Sequence, residues 1–140
     1  MGKPTACSNN LLKLIFNATA WAQIADNAAS PTANITVALH TADPGVSGTQ
    51  STSEANYTGY ARVNVVRTTS GWTASSSAST SPVGAITFGA CSAGSNTITY
   101  FSVGTGTGNA MLYSGTVTPN ISVSAGVTPS LTTASTITES

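Results

Sequence analysis

"ITVALHTADPG" occupies residues 35–45, and its spacing decides the fold class. Apolar Ile35, Val37 and Leu39 stand on alternate positions, with Thr36, Ala38 and His40 between them. A period of two belongs to a strand that presents its apolar set to one side. Asp43-Pro44-Gly45 then ends the strand: the Asp side chain bonds to nearby backbone, Pro fixes φ, and Gly admits φ values closed to other residues. This corner holds the sole histidine of the chain, His40, three residues before Asp43. It reads either as a catalytic corner or as a strand that ends and turns.

The same alternation recurs downstream. A polar, Gly-bearing loop, "DPGVSGTQSTSEANYTG", leads to "YARVNVVRTT" (60–69), which again alternates. "SGW" turns into a short strand at Trp72, and "ASSSASTSPVG" reads as a low-complexity, mobile loop. "AITFGAC" (85–91), "NTITYFSVG" (96–104), "AMLYSGTV" (110–117), "ISVS" (121–124) and "STITES" (135–140) read as further strands, separated by Gly, Asn and Pro. Many short strands at near-regular spacing predict an all-β fold, an antiparallel β-sandwich or jelly-roll-like single domain.

The front of the chain differs. Residues 1–8 read as a polar arm containing Pro4, and residues 9–140 as the domain. Ser8 or Asn9 can cap a short N-terminal helix over about residues 10–16. Leu11, Leu12, Ile15 and Phe16 form its apolar stripe. That stripe either caps the open end of the protein's own sheet or forms a partner interface. "NATAWAQIADNAAS" extends the helix or packs as a loop, and Pro31 stops any helix before it.

Composition bounds the function. The chain has 140 residues, of which 6% are charged and 40% hydrophobic, with a formal net charge of zero. One domain of this length buries a sufficient core without metal or disulfide. The absence of a basic footprint argues against nucleic-acid binding and against a polybasic membrane patch. An apolar-rich, charge-poor chain is not of the disordered class. A neutral surface rich in hydroxyls suits a subunit packed against neighbours, a homo-oligomer included. Lys3, the apolar run Leu11–Phe16 and Ala18-Thr19-Ala20 imitate an export signal, but Lys13 interrupts a run already too short. The Asn-X-Ser/Thr triplets at Asn17, Asn34, Asn56 and Asn120 are expected by chance in such a sequence. Cys7 and Cys91 read as unpaired thiols, and with one histidine they match no zinc spacing.

The chemistry-bearing residues do not converge on a reaction. His40 lacks a recognisable nucleophile or metal-ligand pattern beside it, so the structural reading outweighs the catalytic one. Asp26, Asp43, Glu54 and Glu139 share no local motif, and no G-x-S-x-G elbow is present. "GTGTGN" (104–109) departs from a phosphate loop at Asn109 and reads as a hairpin turn. Glu54 and Arg62 bracket "ANYTGY"; an exposed pair of little energetic weight is favoured over one that pins the loop. Tyr57, Tyr60, Trp72, Tyr100, Phe101 and Tyr113 read first as core and cross-strand residues, and second as a sugar-binding platform. No catalytic residue, cofactor or metal is expected.

Taken together, "LLKLIFN", "AWAQIADNAAS", "VALHTADPG", "GTQSTSEANYTGYARV", "GWT", "AITFGAC" and "LYSGTV" resemble a family of small tailed-bacteriophage virion proteins, often labelled tail-fibre-like. The resemblance spans nearly the whole chain. It implies a structural protein of the virion, made in the host bacterial cytoplasm, and not an enzyme. The compact, neutral, hydroxyl-rich domain then suggests a capsid decoration (cement) protein bound to the major capsid protein or other virion proteins. A tail or tail-fibre component contacting other tail proteins or a host glycan is the alternative. A small hydrolase is a distant third.

Overall fold

The computed structural model describes residues 5–21 and 31–139. One helix, α1 (Thr5–Asn17), precedes eight strands: β1 (Asn34–His40), β2 (Val63–Val66), β3 (Ser79–Thr80), β4 (Ile86–Thr87), β5 (Asn96–Gly104), β6 (Met111–Val123), β7 (Ser130–Leu131) and β8 (Ile137–Thr138). The fold is all-β with a short N-terminal helix. A four-stranded sheet runs in the order β2-β1-β5-β6, and two-stranded ribbons join β3 to β8 and β4 to β7. The backbone gathers into two compact units. One comprises Met1–Ala33, Val65–Ala85 and Leu131–Ser140, the other Asn34–Asn64 and Ile86–Ser130.

In the first unit, α1 buries Ser8, Leu12 and Phe16, three residues four apart and so on one helical face. The Phe16 ring lies 4.7 Å from that of Trp72, tilted by 60°. Truncating a buried ring of this kind to Ala removes about 3–5 kcal/mol. Ala18 (φ 52°) turns the chain out of the helix, and its neighbour Thr19 donates its N–H back to the Lys13 carbonyl. Arg67 caps the same end, donating Nη2 to the Leu14 carbonyl at 2.8 Å and Nη1 to Thr32 O at 2.9 Å.

The helix begins at Thr5, earlier than expected, so residues 5–8 of the expected arm are helical. Asn9 is therefore an interior helical residue and not a cap. Its carboxamide accepts from Ser75 Oγ and the Ala78 N–H and donates to Ser76 O. Those bonds anchor the stretch read as a mobile loop, in which Ser75 and Thr80 are buried and Ser79–Thr80 forms β3. The proposed extension of the helix through residues 22–30 lies outside the described residues; residues 18–21 are not helical.

The second unit is built on β5. It pairs antiparallel with β1, setting Ala38 opposite Ser102 and His40 opposite Tyr100. On its other side β5 pairs antiparallel with β6, with Phe101 opposite Gly115 and Val103 opposite Tyr113. "GTGTGN" forms the connecting hairpin turn, where Gly106, Gly108 and Asn109 all take positive φ. "AMLYSGTV" and "ISVS", read as two strands, are one thirteen-residue strand. Residues Ile35 to His40 are buried on both faces of β1. Its alternation thus marks the strand, but neither face is open to solvent.

Candidate functional site

Among the described residues, chemistry-bearing side chains cluster where β1 ends. Segment 53–55 returns antiparallel to the end of β1, with Thr41 N–H on Ser53 O at 2.8 Å and Ala55 N–H on Leu39 O at 2.9 Å. Residues 41–53 therefore form a closed loop. Its turns are local: Asp43 Oδ1 accepts the Gly45 N–H at 2.8 Å, and Gly48 N–H reaches Gly45 O. Gly45 sits at φ 72°, which its missing side chain permits. Asp43 thus serves the turn, as its place in Asp-Pro-Gly indicates.

His40 is fully buried. Its Nδ1 lies 2.8 Å from the Thr52 carbonyl and its Nε2 lies 2.7 Å from Ser102 Oγ. A carbonyl only accepts, so Nδ1 carries the proton and Nε2 accepts from the Ser102 hydroxyl. The strand register explains the meeting. Ser102 faces Ala38, two residues from His40, so the two side chains are diagonal neighbours on one face of the sheet. Burial lowers the His40 pKa, partly opposed by the Thr52 bond and the Glu54 charge. The neutral imidazole is the form this site holds.

A serine hydroxyl on a histidine whose other nitrogen is oriented copies part of a nucleophile–base pair. Both side chains are at 0% exposure, however, so a substrate has no access to Ser102. A backbone carbonyl, and not a carboxylate, orients the ring. The arrangement fastens the 41–53 loop to the sheet. Gln50 adds to it, donating Nε2 to Thr36 O at 2.9 Å. Gly104 makes room, since a Cβ there would stand 2.6 Å from Gln50 Oε1.

The second fastening is ionic. Arg62 grips Glu54 with both arms, Nε to Oε1 and Nη2 to Oε2, each at 2.7 Å. Arg62 Nη2 also donates to Ser51 Oγ at 3.1 Å. Tyr60 Oη donates to Glu54 Oε1 at 2.8 Å and accepts the Leu39 N–H. The pair pins the loop, contrary to the expectation of an exposed pair: the two side chains are only 20% and 18% exposed. Burial pushes the Glu54 pKa up, but hydrogen bonds from Arg62 and Tyr60 outweigh it and leave the carboxyl below its usual range. Burial, with the Glu54 bond and charge, raises the Tyr60 phenol far above its usual value.

The other sequence candidates separate. Leu12 and Phe16 of the apolar stripe are fully buried, and Phe16 packs on Trp72. Leu11 and Ile15 remain partly exposed. Tyr57 and Trp72 are buried, and Tyr57 Oη is spent on Gly89 O at 2.9 Å. Tyr60 packs edge-on to Tyr57 and stacked on Phe88. Of the six aromatics Tyr57 and Trp72 are core, while Tyr60, Tyr100, Phe101 and Tyr113 are half-buried. Cys7 and Cys91 are free thiols, Cys91 buried. Among the described residues no group of three or more His, Cys, Asp or Glu side chains is placed to hold a metal. No helix of the described residues is long and apolar enough to cross a membrane. Sequence reasoning missed Gln50 and Ser102, and read Tyr60 only as an aromatic, without its hydrogen bonds to Glu54 and Leu39. Their polar atoms meet His40 and Glu54 only through the register and the loop closure, which no local pattern encodes.

A site made wholly of structural fastenings suits a protein whose work is to hold a shape. The family comparison agrees: residues 3–138 match the model of the family described as podophage GP4 fiber I protein gp80. The chain belongs to this phage fibre family. It is thereby a virion structural protein of the tail-fibre-like kind, as the resemblance of its motifs implied. No curated protein matches the chain.

Proposed function

We propose that this member of the fibre family is a structural subunit of the phage tail-fibre apparatus, held by contacts with other tail proteins. The carrying observation is the match to a fibre family over residues 3–138. It weighs toward the tail and away from capsid decoration. The head-shell reading rested on the neutral, hydroxyl-rich composition, and that composition serves any subunit packed against neighbours. The tightly fastened loop and the inaccessible Ser102–His40 pair support a scaffold and not a hydrolase.

Copy number tests the proposal. Quantitative mass spectrometry of purified virions, with immunogold labelling, is expected to count a small number of copies, all on the tail. Hundreds of copies spread over the head shell would restore the decoration reading and overturn this one.

A further inference from the structure

The 41–53 loop is tied to the sheet through one titratable ring. His40 is fully buried at the end of β1. Its Nδ1–H donates to the Thr52 carbonyl, inside the loop, and its Nε2 accepts from Ser102 on β5. The donors and acceptors of this cluster fit the neutral ring. A proton on Nε2 would turn the Ser102 hydroxyl round to accept, and its own O–H would then need a new acceptor. Beside Ser102 stands Gln50 Nε2, 3.5 Å away, and it is a donor as well. Gln50 Oε1 makes no hydrogen bond as the side chain stands. Turning the carboxamide over would set that oxygen against the Thr36 carbonyl, which Nε2 now meets at 2.9 Å. The charged groups facing the ring do not offset this. Glu54, bridged to His40 by the returning segment, is already held by both arms of Arg62 and by Tyr60 Oη. Arg62 carries the same sign as an imidazolium and opposes it. From β5 the ring meets Ser102 and, across the ladder, Tyr100.

We propose that protonation of His40 releases the 41–53 loop from the sheet while the sheet stays folded, so that the loop is an acid-operated latch. A charge placed in the buried cluster is relieved when Thr52 and Gln50 part from the sheet and water reaches the ring. Opening is directed to the loop because β5, behind the ring, is paired on both sides, to β1 and to β6. The ties within the loop survive its release: Asp43 on the Gly45 N–H, and Gly48 N–H on Gly45 O. The clamp on Glu54 also survives, since that carboxyl stays ionised to below its usual range and keeps the base closed. Burial already lowers the His40 pKa in the closed form. The latch is therefore fully shut above the ordinary imidazole value of 6.5 and loosens as pH falls below it. What is released carries Val46, so acid converts a fixed display of this fully exposed side chain into a mobile one. The inference rests on the cluster around His40 and stands apart from the assignment to the tail.

Amide hydrogen exchange of the unaltered chain at pH 7.5 and pH 5.5, read by NMR and corrected for the intrinsic pH dependence of exchange, provides the test. The Gln50 amide, bonded to the Asn109 carbonyl of the β5–β6 hairpin, reports the docked loop. Its opening constant is expected to rise about three- to tenfold over this range, about tenfold being the ceiling for one group of ordinary pKa 6.5. The amides of β5 should change less than about twofold. His40→Asn keeps a donor for the Thr52 carbonyl and does not titrate, so it should abolish the pH response of Gln50. Should that variant not fold, the ring itself decides. His40 is the sole histidine, so its resonances are unambiguous, and its protonation should follow the same curve as Gln50 exchange. An unchanged Gln50 opening constant overturns the proposal. So does equal opening of β5, a folded His40→Asn chain with the same pH response, or a protonated ring beneath a loop that stays closed.

Discussion

At the scale of single residues, His40 is held by its neutral form. The folded state lowers its pKa below the usual 6.5, chiefly by burial. The unfolded chain therefore binds more protons as pH falls below about 6.5, and stability drains with it. Above that pH the contribution is fully present. Glu54, whose folded pKa is depressed, keeps its contribution above its ordinary 4.5 and loses it only at lower pH. The two windows separate. Melting temperature is expected to drop between pH 7 and pH 5, and His40→Ala should flatten that slope. The same variant should cost roughly 2–4 kcal/mol at pH 7.5, since it opens a cavity, deprives the Ser102 O–H of its acceptor and leaves the Thr52 carbonyl without its donor. A variant with unchanged melting and an unchanged slope would show that His40 is not the fastening.

At the scale of elements, the 41–53 loop is stable because two clamps, one on His40 and one on Glu54, meet at its base. Arg62→Ala removes the ionic one and leaves the Glu54 carboxylate partly buried with only the Tyr60 hydroxyl as its partner. The expected loss is about 1–3 kcal/mol. Hydrogen exchange of the backbone amides around 51–55 should accelerate more than that of β5. Uniform acceleration through both would mean that the loop and the sheet open as one unit. Strand β1 was legible element by element, because Ile35, Val37 and Leu39 repeat at period two. Strand β5 was legible to the residue, Asn96 to Gly104. Strands β3 and β7 were not, since Ser79–Thr80 and Ser130–Leu131 are two-residue pairings with no periodicity to read. The helix start was misplaced because Asn9 has the chemistry of a cap. Its carboxamide is instead engaged with Ser75, Ser76 and Ala78, a long-range use that no local pattern announces.

At the scale of the whole molecule, net charge is zero and nearly all charge lies before Thr68, Glu139 excepted. Any association made through residues 68–138 then owes nothing to ion pairs. Its dissociation constant should change by no more than about twofold across the salt range that screens surface charge. A strong salt dependence would locate the contact on Lys13, Asp43, Glu54, Arg62 or Arg67 instead. Kinship with tailed-phage virion proteins was legible along the chain, while the fibre assignment came from the family match over residues 3–138 and weighed against a preference for capsid decoration. The Ser102–His40–Gln50 fastening was not legible, because it is assembled by strand register from positions 40, 50 and 102.

The closed loop has one more consequence, and it concerns heredity. The side chains that fasten residues 41–53 to the sheet, His40 and Gln50 among them, lie at the base or inside. Val46, at the tip, is fully exposed. Folding therefore exerts almost no selection on what stands there, and a substitution at that codon leaves the scaffold within roughly 0.5 kcal/mol of its starting stability. The loop is a place where a lineage can try new side chains in succession, each displayed on the same rigid mount.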